Sequence, residues 1–390
     1  MVYALLKTAN NVMSFTIFSV LLPDIRSCME NINGHWFFGN LDFCDLGRQM
    51  SENTFYRTLM LVRTVISILG IAFTGVVLMT NIKTVVFHVH TRIIVYYHLI
   101  CTLVTVLIYV GLSVFEFVRL SQTHIDSCDY LMPRLLSFSF HFFLANTTFC
   151  QILSCLLLMI ERLVCTFKHR TYENADHRWF LYTGLVTVVV NYVSYFLIAR
   201  NANWNITPFY LSFRDSNNFA YTASFIFSMF CCDVATFVLI VVVNIMSRRR
   251  RRLSMVDPSI SNTGQLSSKL QLKESVTLTN TWIPIVILHV AITGISTLVI
   301  STIQFIFGGN LLISLPITEG CAMFPLYAII MPVLVFRKHP MLFWDFAEKV
   351  ARRRLVTRHV LAKPPETHFD KHFELFDKMI QPPETQKRNC

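Results

Sequence analysis

Several polar residues of this chain stand where charge is expensive, inside long apolar runs. Asp233 follows Cys231-Cys232 in the middle of one such run, while His141, Asn146, His289, Gln304 and Glu319 interrupt others. In hydrocarbon surroundings an ionisable side chain marks a ligand contact, an ion path or a polar tie between helices. Glu161-Arg162 offers different chemistry: an adjacent acid and base at the end of a run can pair, close a surface and later release a cation. Covalent chemistry finds no support. The chain has no HExxH, no GxSxG and no Gly-Lys-Ser phosphate loop. His368 and His372 are four apart, a spacing compatible with a metal, but the several histidine boxes of membrane di-iron enzymes are absent. The 11 cysteines form no CxxC and no paired zinc spacing. No enzyme, cofactor or metal is expected.

The elements that carry these residues follow from composition. Of 390 residues 54% are hydrophobic and 15% charged, and the mean hydropathy is +0.51. Soluble domains carry about a quarter charged residues. A spanning helix needs about 20 mostly apolar residues, because lipid offers the backbone no hydrogen-bond partner. Uncharged runs locate seven candidates, at about 62–86, 93–117, 135–160, 179–199, 219–246, 282–307 and 311–336. The last two arise from 44 uncharged residues between Glu274 and Glu319, split at Gly308-Gly309-Asn310. The fold class is an all-α membrane protein, a seven-transmembrane helix bundle over 62–336. An extracellular segment 1–61 precedes it, and a cytoplasmic tail 337–390 follows. The apolar stretch 12–22 is read as part of an ordered outer segment in preference to a cleaved signal.

Charge supplies the direction. With the N-terminus extracellular and the C-terminus cytoplasmic, 25 of the 34 Lys and Arg fall on the inner side, as the positive-inside bias requires. The excess of +11 is therefore a topology signal, and no nucleic-acid partner is expected. Asn205-Ile206-Thr207 is a glycosylation sequon on the outer side in this topology. Arg248, Arg249 and Arg250 open a run of five arginines after the fifth span, suited to anionic lipid and to the acidic surface of a cytoplasmic partner. Arg251-Arg252-Leu253-Ser254 resembles a basophilic kinase site, and 254–279 reads as a flexible Ser/Thr-rich loop. Apolar spacing predicts an amphipathic helix over 340–354 and a second around Phe369–Ile380.

Glu161-Arg162, followed by Thr166, Tyr172-Glu173 and Arg178-Trp179, resembles the nematode chemoreceptors of the serpentine receptor class epsilon (Sre) family and its relatives. Phe336-Arg337-Lys338-His339-Pro340 is similar to that family's exit into the tail, and Glu366-Thr367-His368-Phe369 to an element near its C-terminus. The resemblance implies a chemosensory G-protein-coupled receptor at the plasma membrane, with sensory neuron cilia as its expected place. Its partners would be a small odorant or pheromone-like ligand and a heterotrimeric G protein. It further implies that Glu161 and Arg162 form the inner switch. The chain departs from the wider rhodopsin-like pattern: Asp-Arg-Tyr, Asn-Pro-x-x-Tyr and Cys-Trp-x-Pro are all missing. The alternative is a seven-helix ligand-gated cation channel of the insect odorant-receptor kind, which has the opposite topology and little chain after its last helix.

Depth along the helices nominates His141, Asn146, Glu319, Gln304 and Phe225 for a ligand pocket. A His141–Glu319 hydrogen bond holding helices together is the competing role for that pair. Asp233 and His289 are expected to form an internal polar latch between the fifth and sixth spans. Among the outer cysteines Cys28, Cys44 and Cys128 one bridge is expected, with the pairing open.

Overall fold

A computed structural model of the chain describes residues 43–80, 89–167, 178–200, 204, 219–256, 264–307, 311–340, 342–344 and 346–348. The helices are α1 (Phe43–Glu52), α2 (Thr54–Met79), α3 (Val89–Ser121), α4 (Arg134–Phe167), α5 (Arg178–Arg200), α6 (Phe219–Val256), α7 (Gly264–Phe307), α8 (Leu311–Cys321) and α9 (Phe324–Lys338). Among the described residues seven spans are long and apolar enough to cross a membrane, α2 to α7 singly and α8 with α9 together. One compact unit extends to Phe343; the second begins at Trp344, and few of its residues are described. The signal-like stretch 12–22, Cys28, the sequon at Asn205, most of the helix expected over 340–354 and the one around Phe369–Ile380 lie outside the described residues.

The three largest shifts of span boundary from the sequence expectation share one reason: a charged residue ends an uncharged run without ending a helix. The first span starts at Thr54, where the Asn53 side chain accepts a hydrogen bond from the Tyr56 amide at 3.2 Å. Arg63 therefore lies inside α2, one of its buried residues. α6 continues through the arginine run to Val256, and α7 begins at Gly264, so the expected loop 254–279 is in large part helix. At 1.5 Å per residue α6 extends roughly 15 Å past Met246.

The seventh span is two helices. Pro325 lacks the N–H that would serve the Cys321 carbonyl, and that carbonyl accepts from Ser296 of α7 at 2.9 Å. Pro332 withholds the donor due to the Ala328 carbonyl, which accepts from Thr74 of α2 at 3.1 Å. Close approach makes the second bond reachable: a Cβ on Gly70 would lie 3.1 Å from the Ala328 Cβ. Inside lipid, packing and such interhelical bonds hold helices together, because lipid tails are as apolar as leucine.

α4 is the central helix. Its spanning window is 67% buried, against 22–50% for the other six. An apolar core joins Val77, Leu99, Met159, Val286, Tyr327 and Met331 from five helices. A second cluster, at the end of the bundle near α1, packs Leu46 and Met50 of α1 on Tyr56, Met60, Leu120 and Leu315. α1 thus roofs that end, and a disulfide from Cys44 to Cys128 ties it to the connection between α3 and α4. The structure thereby settles the pairing that spacing left open.

Candidate functional site

The polar residues inside the bundle gather at three levels. At the roofed end, Arg63 of α2 forms an ion pair with Glu319 of α8. Arg63 Nε donates to Ser113 Oγ of α3 at 2.7 Å, Nη2 reaches Met60 Sδ at 3.2 Å, and the guanidinium lies 5.4 Å over the Tyr109 ring. Nearby, Glu116 pairs with Arg119, which also donates to the Tyr130 carbonyl. Such charges are tolerable within a bundle because each meets an opposite charge.

The middle level centres on His98 of α3. Its Nδ1 is 2.7 Å from Ser154 Oγ of α4, and its Nε2 is 2.6 Å from the Tyr327 hydroxyl of α9. Ser154 spends its own proton on the Gln151 carbonyl at 2.6 Å. It must therefore accept from His98, which puts the imidazole proton on Nδ1 and leaves Nε2 to accept from Tyr327. His289 of α7 completes a group of three rings, with centroids 5.4 Å from His98 and 5.0 Å from Tyr327. Asn191 of α5 donates to Asn146 Oδ1 at 2.7 Å.

At the far end stands the acid–base pair read from the sequence. Arg162 Nε and Nη2 donate to the two oxygens of Glu161 at 2.5 and 2.7 Å. Thr91 of α3 donates to Glu161 Oε1 at 2.9 Å and also contacts Arg162. Both charged side chains are 0% exposed. Close by, His339 after α9 is 3.1 Å from Thr281 Oγ1 of α7. Burial holds the His339 imidazole below the ordinary histidine range, with Lys338 adding to the effect.

Neither the competing His141–Glu319 bond nor the expected Asp233–His289 latch is made. His141 bonds the Tyr195 hydroxyl of α5 and Glu319 bonds Arg63, so the His141–Glu319 bond is corrected to two separate ties. The Asp233–His289 latch is also corrected. Asp233 lies beside Thr293, one turn from His289, and both His289 ring nitrogens lack a hydrogen-bond partner among the described residues. His289 turns instead toward His98 and Tyr327. Phe225 is buried in the aromatic cluster of Tyr195, Phe149 and Phe142. Arg248 and Arg249 are exposed on α6; Gln304 and Arg250 lie on described helices, but their side chains are outside the described set. Among the described residues no group of three His, Cys, Asp or Glu is arranged to hold a metal.

Sequence reasoning missed Arg63, His98 and Tyr327 as site residues. The signals were there: Arg63 served only as a span boundary, and His98 interrupts the uncharged run 92–116.

Seven spans about a central α4 define a seven-helix receptor fold. Squid rhodopsin shares it, with a TM-score of 0.53 at 13% identity over 84% of this chain and 92% of that one. The model of the family described as "Serpentine type 7TM GPCR receptor class ab chemoreceptor" matches residues 42–374, and the chain belongs to that family. This corrects the class: it is ab, where the short motifs resembled class epsilon. The protein is a multi-pass membrane protein and a chemosensory G-protein-coupled receptor, and the channel alternative is not favoured. Family and fold are those of receptors. No curated protein matches the chain.

Proposed function

We propose that this receptor sits in the plasma membrane of sensory cilia with its roofed end outside and its Glu161–Arg162 end in the cytoplasm. There it converts binding of a small odorant or pheromone-like molecule into activation of a heterotrimeric G protein. The charge asymmetry of the sequence supports the direction. So does the Cys44–Cys128 bond, which belongs to an oxidising compartment. Glycosylation at Asn205 is part of the same reading. His141, Asn146, Glu319, Gln304 and Phe225 are the pocket candidates. Arg248, Arg249 and Arg250 offer the G protein a basic face on the extension of α6.

One observation carries the mechanism: Glu161 and Arg162 are completely buried and paired through two hydrogen bonds, with Thr91 of α3 closing the pair. That arrangement is a closed state, because the cation a G protein would meet is withheld. Ligand binding favours a conformation that frees Arg162, and the shift is limited by the ligand's differential affinity for the two states. The test is guanine-nucleotide exchange on a co-reconstituted heterotrimer at matched receptor amounts. Glu161→Gln is expected to raise basal exchange several-fold, and Arg162→Ala on that background to return it to the receptor-free level. Exchange that ignores both substitutions would remove the pair from the switch.

A further inference from the structure

The geometry points to an acidic ligand: an apolar molecule bearing one carboxylic acid, whose carboxylate takes the place of Glu319 on Arg63. This rests on the ligand-driven reading above and names the chemistry that reading leaves open.

The two members of the ion pair are held unequally. Arg63 keeps three supports that do not involve Glu319: Ser113 Oγ at 2.7 Å, Met60 Sδ at 3.2 Å and the Tyr109 ring at 5.4 Å. Among the described residues the Glu319 carboxylate has one polar contact, Arg63. Glu319 also rides on α8, an 11-residue helix that stops at Cys321, while α9 starts afresh at Phe324. The guanidinium is the fixed half and the carboxylate the exchangeable half.

A second observation asks for another oxygen at this place. The Tyr56 hydroxyl is fully buried and has no hydrogen-bond partner among the described residues, and it lies in the electrostatic field of Arg63, Glu116, Arg119 and Glu319. A carboxylate offers two oxygens, one for Arg63 and one for the Tyr56 O–H. Around the pair, Leu46, Met50, Met60 and Leu315 are apolar, which suits a ligand whose remainder is hydrocarbon.

Charge balance then selects the acid over an amine or an alcohol. The ligand arrives as neutral R–COOH and gives its proton to the Glu319 carboxylate. R–COO⁻ pairs with Arg63 and Glu319 becomes a neutral acid, so no net charge enters the bundle. An ammonium would have to draw Glu319 away and leave Arg63 buried without a counter-ion, a costly state. An alcohol has no charge with which to compete.

The test uses the full chain, purified in lipid nanodiscs, with Tm as the readout and no G protein present. Hexanoic, octanoic and decanoic acids are compared with 1-octanol and octylamine at equal concentrations. A specific ligand of the folded state raises Tm by mass action. At least one acid should raise Tm by several degrees more than the alcohol or the amine, and Arg63→Gln should abolish that difference. Glu319→Gln should keep it and lower the half-saturating acid concentration by about tenfold, since no carboxylate then competes for Arg63. The proposal is overturned if octylamine or 1-octanol shifts Tm as much as the acids. It is equally overturned if the acid effect survives Arg63→Gln, or if no acid of the series shifts the wild type. Nucleotide exchange plays no part, so failure here and failure of the Glu161–Arg162 switch are separate results.

Discussion

Tyr327→Phe is the sharpest probe of the hub at the middle of the bundle. The substitution deletes one oxygen and leaves His98 Nε2, now 2.6 Å from a donor, with none. His98 is 5% exposed, so water does not replace the lost partner. Orphaning a buried acceptor costs about 1–3 kcal/mol. At about 2 °C per kcal/mol for a chain of this size, Tm should fall by roughly 2–6 °C. A second substitution separates this argument from a plain loss of packing. His98→Leu added to Tyr327→Phe removes the orphaned nitrogen altogether, and Ser154 keeps its bond to the Gln151 carbonyl at 2.6 Å. The double variant should therefore regain at least half of the lost Tm. The assay is thermal unfolding of the receptor in nanodiscs, read by a thiol-reactive dye on its buried cysteines. A double variant no more stable than Tyr327→Phe would refute the reasoning, because its core is the asymmetry between an unmet polar group and no polar group.

Thr74→Val should cost about 1–3 kcal/mol by stranding the Ala328 carbonyl that Pro332 cannot serve. Adding Pro332→Ala should restore part of that loss in the same thermal assay. Gly70→Leu drives a side chain into the Ala328 Cβ and the Pro325 carbonyl, at 3.1 and 3.3 Å from the new Cβ, while Gly75 has nothing within 4 Å. Surface expression should drop for the first substitution and hold for Gly75→Leu. The His339 imidazole is held below its ordinary value by burial and then by Lys338, so the fold favours its neutral form. Its contribution to stability is present above the unfolded value of about 6.5 and lost as pH falls through the lower folded value. The Tm of the wild type should decline over that window more steeply than that of His339→Gln.

The seven spans were legible because the bilayer imposes a minimum apolar length. Their ends were less so. Arg63 shows why: a run of uncharged residues ends at the first charge, but a charge with partners on α3 and α8 is buried like any other residue. The α6 arginines show the converse, since a helix that leaves the membrane keeps its backbone bonds in water. Pairings were legible only when local. Glu161 and Arg162 are adjacent and find each other whatever the rotation of α4. Asp233 and His289 share a depth, yet depth is silent about which face of a helix a residue occupies. One turn places Asp233 beside Thr293 and leaves His289 with the rings of His98 and Tyr327. The superfamily was readable from helix 3 and the tail, whereas motifs of two to five residues were too short to separate class ab from class epsilon.

The bond between Cys44 and Cys128 spans 84 residues of sequence and two complete crossings, α2 and α3. That gives it a meaning in biosynthesis. The two thiols can meet only if both reach the same compartment, which requires an even number of insertions between them. A chain in which either α2 or α3 failed to insert would strand one cysteine on each side of the bilayer. The oxidised bond is thus a covalent record that neither helix of the first hairpin was inserted without the other. A gel-shift assay for that disulfide would set aside molecules with only one of the two helices inserted, before any ligand is known.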